Sequence, residues 1–322
     1  MVVVMGVTGA GKSHFINHLA GKKIVEEGAS LDPCTQSCQL VPVSIGQSKL
    51  LLIDTPGFDD SERTDSEILM EIARILSAQY QLGVQLKGVV YIHRITDIRY
   101  ARSSVKTFEI FRKIVGDQAL RNVLLVTSRW NEVDPGVGAE RERQLKDKFW
   151  AYMLGKGSNI SRFHGDRPSA VGLVSQLICK ETVVLELQRE LVDDGKQLDE
   201  TTAGAYLSDN LDNLRRQYRD ELAALERLKQ DLLDNDRAMR RQIQRDWEEE
   251  EARIRQVDKD QVSLQRPVGI EVRHEIQKKR SMLSKALPLI PAVVSILAMF
   301  VGIPPGITNI FTTWFADLGS DF

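Results

Sequence analysis

Residues Gly6 to Ser13 have the types and spacing of a loop that wraps phosphate groups. They match the pattern G-x4-G-K-[ST] without a gap. In this pattern the glycines let the backbone approach a phosphate closely, successive N–H groups face its charge, the lysine adds a point charge and the final hydroxyl reaches Mg2+. We expect nucleotide contacts from most of the loop and the residue after it: Gly6, Thr8, Gly9, Ala10, Gly11, Lys12, Ser13 and His14.

An acidic motif, Asp54-Thr55-Pro56-Gly57, follows a short apolar run at Leu50 to Ile53. A carboxylate at the end of such a strand would lie beside the magnesium, usually through a water molecule. The N–H group of Gly57 could then sense the γ-phosphate. Downstream of a phosphate-binding loop, the motif indicates a magnesium–triphosphate site.

A threonine in the loop between these two motifs completes the set. Thr35 is our choice for the residue that binds both Mg2+ and the γ-phosphate, and Ser37 is the alternative. The metal ligands are therefore predicted as Ser13, Thr35 and Asp54. The residues that act on the γ-phosphate are predicted as Lys12, Thr35 and Gly57.

These three segments resemble the septin-like branch of P-loop GTPase domains, which includes the AIG-type (GIMAP-like) immunity-associated GTPases. The resemblance extends to fungal proteins in which such a domain precedes a helical tail, and it covers about residues 1–190. It implies GTP and GDP as ligands, Mg2+ as cofactor and, in many members, self-association that depends on the nucleotide.

The base-recognition segment departs from the family pattern, which is Asn-Lys-x-Asp or Thr-Lys-x-Asp. Here the strand at 123–126 continues into Thr-Ser-Arg-Trp-Asn-Glu-Val-Asp. The resemblance puts Asn131 where the acid that binds guanine belongs, and Glu132 or Asp134 could compensate. Trp130 could stack on the base or fill the core. Because the motif departs from the guanine pattern, an ATPase stays open as an alternative. The predicted base contacts are Thr127, Trp130, Asn131 and Glu132.

Catalysis is expected to be slow. Many related enzymes place a glutamine directly after the Asp-x-x-Gly motif to orient water, whereas this chain has Phe58. The leading hypothesis is a molecular switch that slowly converts GTP to GDP and phosphate. The alternative is a nucleotide-dependent, self-assembling scaffold with little turnover.

Alternating apolar strands and amphipathic helices predict the scaffold for these residues, a doubly wound, mostly parallel α/β sheet. The strands at 40–45 and 50–53 are expected to form an antiparallel hairpin at one edge. Further strands are predicted at 2–5, 88–93 and 122–127. Helices are predicted at 13–20, 66–82, 104–115, 141–154 and 169–187.

Composition divides the chain into three predicted segments: the GTPase domain (1–190), a helical region (191–282) and an apolar segment (283–322). In the helical region, apolar residues recur at steps of three and four from Leu207 to Ile243, which indicates a long amphipathic helix. A hairpin folded back on the first domain and a coiled-coil dimer are both open. A homodimer could form through the GTPase domain or through the coiled coil.

The apolar segment has no charged residue from 286 to 316, and residues 286–307 are long enough to span a membrane. Its prolines shorten the uninterrupted helix, so a buried or interfacial helix is the alternative. We expect a cytoplasmic protein, with membrane association through this segment as an option. The three cysteines fit a reducing compartment, and the net charge of −2 offers no broad basic field for nucleic acid.

Overall fold

A six-stranded sheet forms the centre of the computed structural model, with strand order β2-β3-β1-β4-β5-β6. The structure describes residues 1–27, 37–60, 62–98, 100–231, 237–283 and 289–304. The β2–β3 pair is antiparallel and every other pair is parallel. The strands are β1 (Val2–Gly6), β2 (Gln39–Ile45), β3 (Ser48–Asp54), β4 (Gly88–Arg94), β5 (Val123–Ser128) and β6 (Asn159–Arg162).

The central strands are apolar runs because helices cover both faces of the sheet. Every residue of β1 and β5 is buried. The hairpin of β2 and β3 lies at the sheet edge, as predicted, and turns at Gly46, which has a positive φ of 58°. The doubly wound α/β prediction is therefore confirmed. The helices of this part are α1 (Lys12–Ala20), α2 (Asp65–Gln81), α3 (Arg102–Val115), α4 (Pro135–Gln144), α5 (Ala151–Gly155) and α6 (Arg167–Ile178).

Two sequence-based helix boundaries are wrong, and one strand was missed. The helix predicted at 141–154 begins earlier, at Pro135, because the carboxylate of Asp134 accepts hydrogen bonds from two amides of the first turn. It also contains a π-helical turn, Leu145–Phe149, between α4 and α5. The helix predicted at 169–187 ends at Ile178, and the amide of Val183 then bonds to the carbonyl of Leu86. β6 was not predicted.

A short connection leads into the helical region through α7 (Glu186–Gln188) and a π-helical turn (Arg189–Asp193). Glu190 is buried, and its carboxylate accepts hydrogen bonds from the amide and hydroxyl of Thr202. Lys196 completes the arrangement with an ion pair of 3.0 Å to Glu190. These contacts fix the start of the next helix, α8 (Thr202–Asp231).

Helices α8 and α9 (Arg237–Leu264) form an antiparallel pair. Arg215 pairs with Asp258 at 2.9 Å, and nearer the far end Lys229 bonds to Gln244. The contacts run in opposite directions along the two helices, which defines a hairpin. The hairpin packs on α2 and α3. Of the two arrangements considered, the structure shows the hairpin folded back on the first domain.

Two further helices cover α2. In α10 (Val268–Leu283), Glu275 pairs with Arg74 of α2 at 2.8 Å. α11 (Leu289–Phe300) contacts both α2 and α10. Just beyond α11, the amide of Gly302 donates to the carbonyl of Cys38, and the amide of Leu40 donates back to Gly302. Gly302 therefore lies along the outer edge of β2.

A buried-helix interpretation fits residues 289–300. No helix in the described residues is both long and apolar enough to cross a membrane. The rest of the predicted apolar segment, at 284–288 and 305–322, lies outside the described residues. The segment boundaries at 190 and 282 stay predictions. One continuous hydrophobic core nevertheless extends from the sheet to Leu198, Val272 and Leu297.

Candidate functional site

The loop from Gly6 to Ser13 connects β1 to α1, which is the context that a phosphate-binding loop requires. Gly6 has a φ of 148°, and a Cβ atom there would lie 2.2 Å from the carbonyl oxygen of Ile92. Gly9 and Gly11 also have positive φ values, 75° and 91°. The backbone path is therefore one that side chains at these positions would obstruct or strain.

Lys12 is buried, and its ammonium group binds the backbone of the loop. Its Nζ donates to the carbonyl oxygens of Gly6 (3.3 Å) and Val7 (3.0 Å). Burial lowers the pKa of Lys12 to about 8, and the charges of Asp54 and Asp60 partly offset this effect. Burial disfavours the charged form of Lys12, and a strongly anionic ligand would stabilise it.

Asp54 is the last residue of β3 and lies beside Ser13 of α1. The Oγ of Ser13 donates to Oδ2 of Asp54 at 3.0 Å. Oδ1 of Asp54 is buried and has no hydrogen-bond partner among the described residues. Burial raises the pKa of Asp54 to about 6, while Lys12 and the bond from Ser13 lower it. A hydroxyl beside an unsatisfied carboxylate oxygen suits Mg2+, which prefers oxygen ligands.

The Asp-Thr-Pro-Gly motif lies directly against the loop. The amide of Thr8 donates to the carbonyl of Phe58 at 3.0 Å. A Cβ atom on Gly57 would lie 2.4 Å from the same amide nitrogen, so this close approach requires glycine. The ring of Phe58 is buried and offers no polar group. The structure thus brings Gly57 next to Thr8 of the phosphate-binding loop, and its contact with the γ-phosphate stays a prediction.

One predicted ligand lies outside the described residues. Thr35, which we chose for Mg2+ and the γ-phosphate, falls in the range 28–36. The alternative, Ser37, is exposed and precedes β2. Both assignments stay predictions.

In the base-recognition segment, Trp130 is already held by the protein. Its indole N–H donates to the carbonyl (3.2 Å) and the hydroxyl (3.0 Å) of Thr127, which is buried beneath it. The guanidinium of Arg162 stacks on the indole ring at 4.0 Å and is held in turn by an ion pair with Glu142. Arg162 therefore covers one ring face.

Asn131 and Glu132 are exposed. Glu132 pairs with Arg129 at 3.1 Å, whereas Oδ1 of Asp134 caps α4. Asp134 therefore has a structural role. The base contacts proposed for Asn131 and Glu132 stay predictions.

At the start of α1, His14 contacts Glu27, with Nδ1 2.8 Å from Oε2. Its Nε2 lies 3.8 Å from a Cβ position on Gly165. The loop after β6 is therefore next to the phosphate-binding loop. β6 was missed in the sequence because it is short and only partly buried.

Sequence reasoning also missed Arg94, the last residue of β4. Its Nη1 lies 3.1 Å from the position of a Cβ atom on Gly9. The available signal was positional, because β4 pairs with β1 and neighbouring parallel strands end at the same sheet edge.

Several known proteins are similar in sequence to this chain. Residues 1–139 match the AIG1 family model. The chain is 32% identical over 136 residues to GTP-binding protein A of Dictyostelium discoideum, covering 42% of this chain and 29% of that protein. It is 29% identical over 183 residues to cell division control protein 11 of Encephalitozoon cuniculi, and this match covers 52% of this chain and 63% of that protein.

Among solved structures, Toc33 from Arabidopsis thaliana in complex with GDP and Mg2+ aligns with a TM-score of 0.44 and 18% identity, over 57% of this chain and 86% of that one. The chain spans less than two thirds of the length of the two relatives above. The family match and the arrangement of the loop, Asp54 and Gly57 agree. Residues 1–139 of this chain are therefore similar to the AIG1 family, whose model they match.

Proposed function

We propose that this protein binds GTP together with Mg2+ and hydrolyses it slowly to GDP and phosphate, and so acts as a molecular switch. The observation that carries the proposal is the pair formed by Ser13 and Asp54, with the buried, unpartnered Oδ1 of Asp54 beside Lys12. Such an arrangement is incomplete without a cation and an anion.

Each group has a defined role in this proposal. The amides of the loop and the start of α1 bind the phosphates, and Lys12 supplies a fixed positive charge. Ser13 and Asp54 hold Mg2+, which neutralises charge on the phosphates when bound. Gly57 brings its backbone to the loop, where its amide can respond to the terminal phosphate. Hydrolysis is slow because the buried Phe58 cannot orient water.

Guanine specificity is part of the proposal and has separate support. Several relatives carry names that state it, including GTP-binding protein A and GTPase IMAP family member 8 of Rattus norvegicus. In this chain the exposed Asn131 and Glu132 are the groups that could read the base. In an ATPase, unlabelled ATP would compete with labelled GTP for the site.

The first prediction concerns Lys12→Ala. We expect the affinity for fluorescent GTP, titrated with Mg2+ present, to fall about a hundredfold or more, because the mutation removes the buried charge that faces the phosphates. Excess unlabelled GTP should displace the probe, whereas equal ATP should not.

Lys22→Ala is the matched control, since Lys22 is an exposed lysine just past α1. Its affinity should equal that of the wild type. Circular dichroism would verify that both variants are folded. Wild-type protein that takes up no GTP, or a Lys12→Ala variant that binds normally, would contradict the proposal.

A further inference from the structure

Helix α10 separates its charges between two sides. Its two acids, Glu271 and Glu275, both lie beside Arg74 of α2, at 3.9 Å and 2.8 Å. The buried residues Val272 and Ile276 belong to the same side of the helix, which packs on α2. The negative charges of α10 are therefore used within the protein.

The opposite side of α10 is exposed and basic. From residue 273 onward its exposed residues are Arg273, His274, Gln277, Lys278 and Arg280. Within the ranges that the structure describes, neither Arg273 nor Arg280 pairs with a carboxylate, and Arg273 donates instead to the backbone carbonyl of Val192 at 3.2 Å. We call Arg273, Lys278 and Arg280 the basic face.

The sequence after α10 does not neutralise this face. No acid lies between Glu275 and Asp317, and α11 carries no charged residue at all. Four cations lie in the same stretch: Lys278, Lys279, Arg280 and Lys285. A surface of one charge sign attracts a partner of the opposite sign.

The end of α11 lies next to α10. Nζ of Lys279 is 4.4 Å from the ring centroid of Phe300, and the guanidinium of Arg74 is 6.0 Å from it. Within one turn of Phe300, Met299 is 53% exposed and Ile303 is 38% exposed. Neighbouring elements therefore present cationic and apolar side chains to the solvent.

We propose that the basic face and the exposed residues Met299 and Ile303 form a surface that binds a membrane containing anionic phospholipids. The cations attract the negatively charged headgroups, and the apolar side chains enter the boundary between headgroups and acyl chains. Buried residues of α11, such as Leu297, stay packed in the core. The protein then lies on the membrane, and no helix has to leave the fold or cross the bilayer.

A lipid surface fits these residues better than an acidic protein segment does. An acidic segment would pair with the cations but would leave Met299 and Ile303 in water. A bilayer offers both a charged headgroup layer and an apolar layer beneath it. The absence of charged residues from 286 to 316 also favours a partner with an apolar layer.

The test is cosedimentation of the full chain with phosphatidylcholine vesicles, with and without phosphatidylserine. We expect binding to the anionic vesicles to be at least about tenfold tighter, and to weaken as salt is added, because salt screens charge. The triple variant Arg273→Gln, Lys278→Gln, Arg280→Gln should bind them about a hundredfold more weakly, since each cation near such a surface contributes roughly fivefold.

The matched control is the triple variant Arg216→Gln, Arg219→Gln, Arg227→Gln. It removes the same number of exposed cations from α8, where the acids Asp220 and Glu226 are interspersed with them. Its affinity for the anionic vesicles should change less than about threefold. Circular dichroism would verify that both triple variants are folded.

The apolar contribution is tested with Met299→Gln combined with Ile303→Gln. This variant should bind the anionic vesicles about tenfold more weakly, because less apolar surface enters the bilayer. The loss should persist at high salt, whereas the loss in the basic-face variant should shrink.

Equal binding to both kinds of vesicle, a basic-face variant that binds normally, or an equal loss in the α8 control would contradict membrane binding by this surface. Polyglutamate that binds as tightly as the anionic vesicles, with no effect of Met299→Gln and Ile303→Gln, would identify an acidic protein segment as the partner instead. GTP affinity, measured separately with fluorescent GTP, should be the same in all variants. A failure here therefore leaves the proposed GTP binding untouched.

Discussion

At the scale of single residues, the nucleotide site holds two opposite charges that the fold itself does not stabilise fully. Burial lowers the pKa of Lys12 to about 8 and raises that of Asp54 to about 6. Both groups are therefore charged together mainly between these two values. A magnesium–phosphate ligand would stabilise both charged forms.

His93 offers a pH-dependent test of burial close to the site. Burial lowers its pKa to about 4, with Asp97 opposing and Arg94 adding to the shift. Its ring lies among Tyr100 and Trp150. Between pH 6.5 and 4 the unfolded chain binds a proton that the folded chain does not, so the free energy of unfolding falls as the pH drops, by up to about 3 kcal/mol.

We therefore expect His93→Phe to lose less stability than the wild type between pH 6.5 and 4 in urea unfolding. The phenyl ring keeps the aromatic contacts and carries no titrating group. His164→Phe, at an exposed position after β6, should follow the wild-type curve. Parallel curves for His93→Phe and wild type would show that His93 is protonated in the folded protein.

How much of the site the sequence reveals depends on separation along the chain. Gly6 to Ser13 form a local motif, and their spacing was sufficient to predict the loop. Arg94 lies 85 positions after Gly9 (94 − 9), and their proximity depends on strand pairing that no local pattern encodes. Trp130 shows the same limit, because Arg162, which covers it, comes from a strand that was not predicted.

At the scale of elements, α2 connects the nucleotide site to the helical region. It begins with a capping box in which the Oγ1 of Thr64 accepts from the amide of Glu67 while the Glu67 carboxylate accepts from the amide of Thr64. The same hydroxyl donates to Asp260 of α9 at 3.1 Å. One side chain thus fixes both the start of α2 and its contact with the hairpin.

Replacing Thr64 with Ala should lower the free energy of unfolding by about 1–2 kcal/mol, the usual cost of losing an N-cap. Urea unfolding followed by circular dichroism would measure it. Ser175→Ala is the control, because that hydroxyl bonds within its own helix to Val171 and its loss should be nearly neutral. If the two variants lose equal stability, the cap is not a source of stability.

Periodicity located most elements because their buried faces are apolar at regular steps. It failed where capping or tertiary contacts decide the boundary. Asp134 and Pro135 start α4 ahead of its apolar positions. β6 is bounded by exposed residues and is held by pairing with β5, so its sequence carries little strand signal.

At the scale of the whole molecule, the three compositional segments share one hydrophobic core. α10 and α11 both contact α2, and the chain after α11 bonds to the edge of β2. Composition reveals that residues 283–322 are apolar but not what surface covers them, since an internal helix surface and a lipid bilayer select similar residues. The packing of 289–300 on α2 and α10 gives the answer for that part.

Leu297 tests whether α11 is an integral part of the fold. Its side chain is completely buried, whereas Met299 on the same helix is 53% exposed. Leu297→Ala should lower the free energy of unfolding by about 2–5 kcal/mol, through lost burial and the cavity left behind. Met299→Ala should change it by less than about 0.5 kcal/mol, as surface substitutions do. Urea unfolding of both full-length variants measures the difference. If α11 did not pack in the core, the two substitutions would have the same effect. Equal stabilities of the two variants would therefore contradict the packing of α11 against α2.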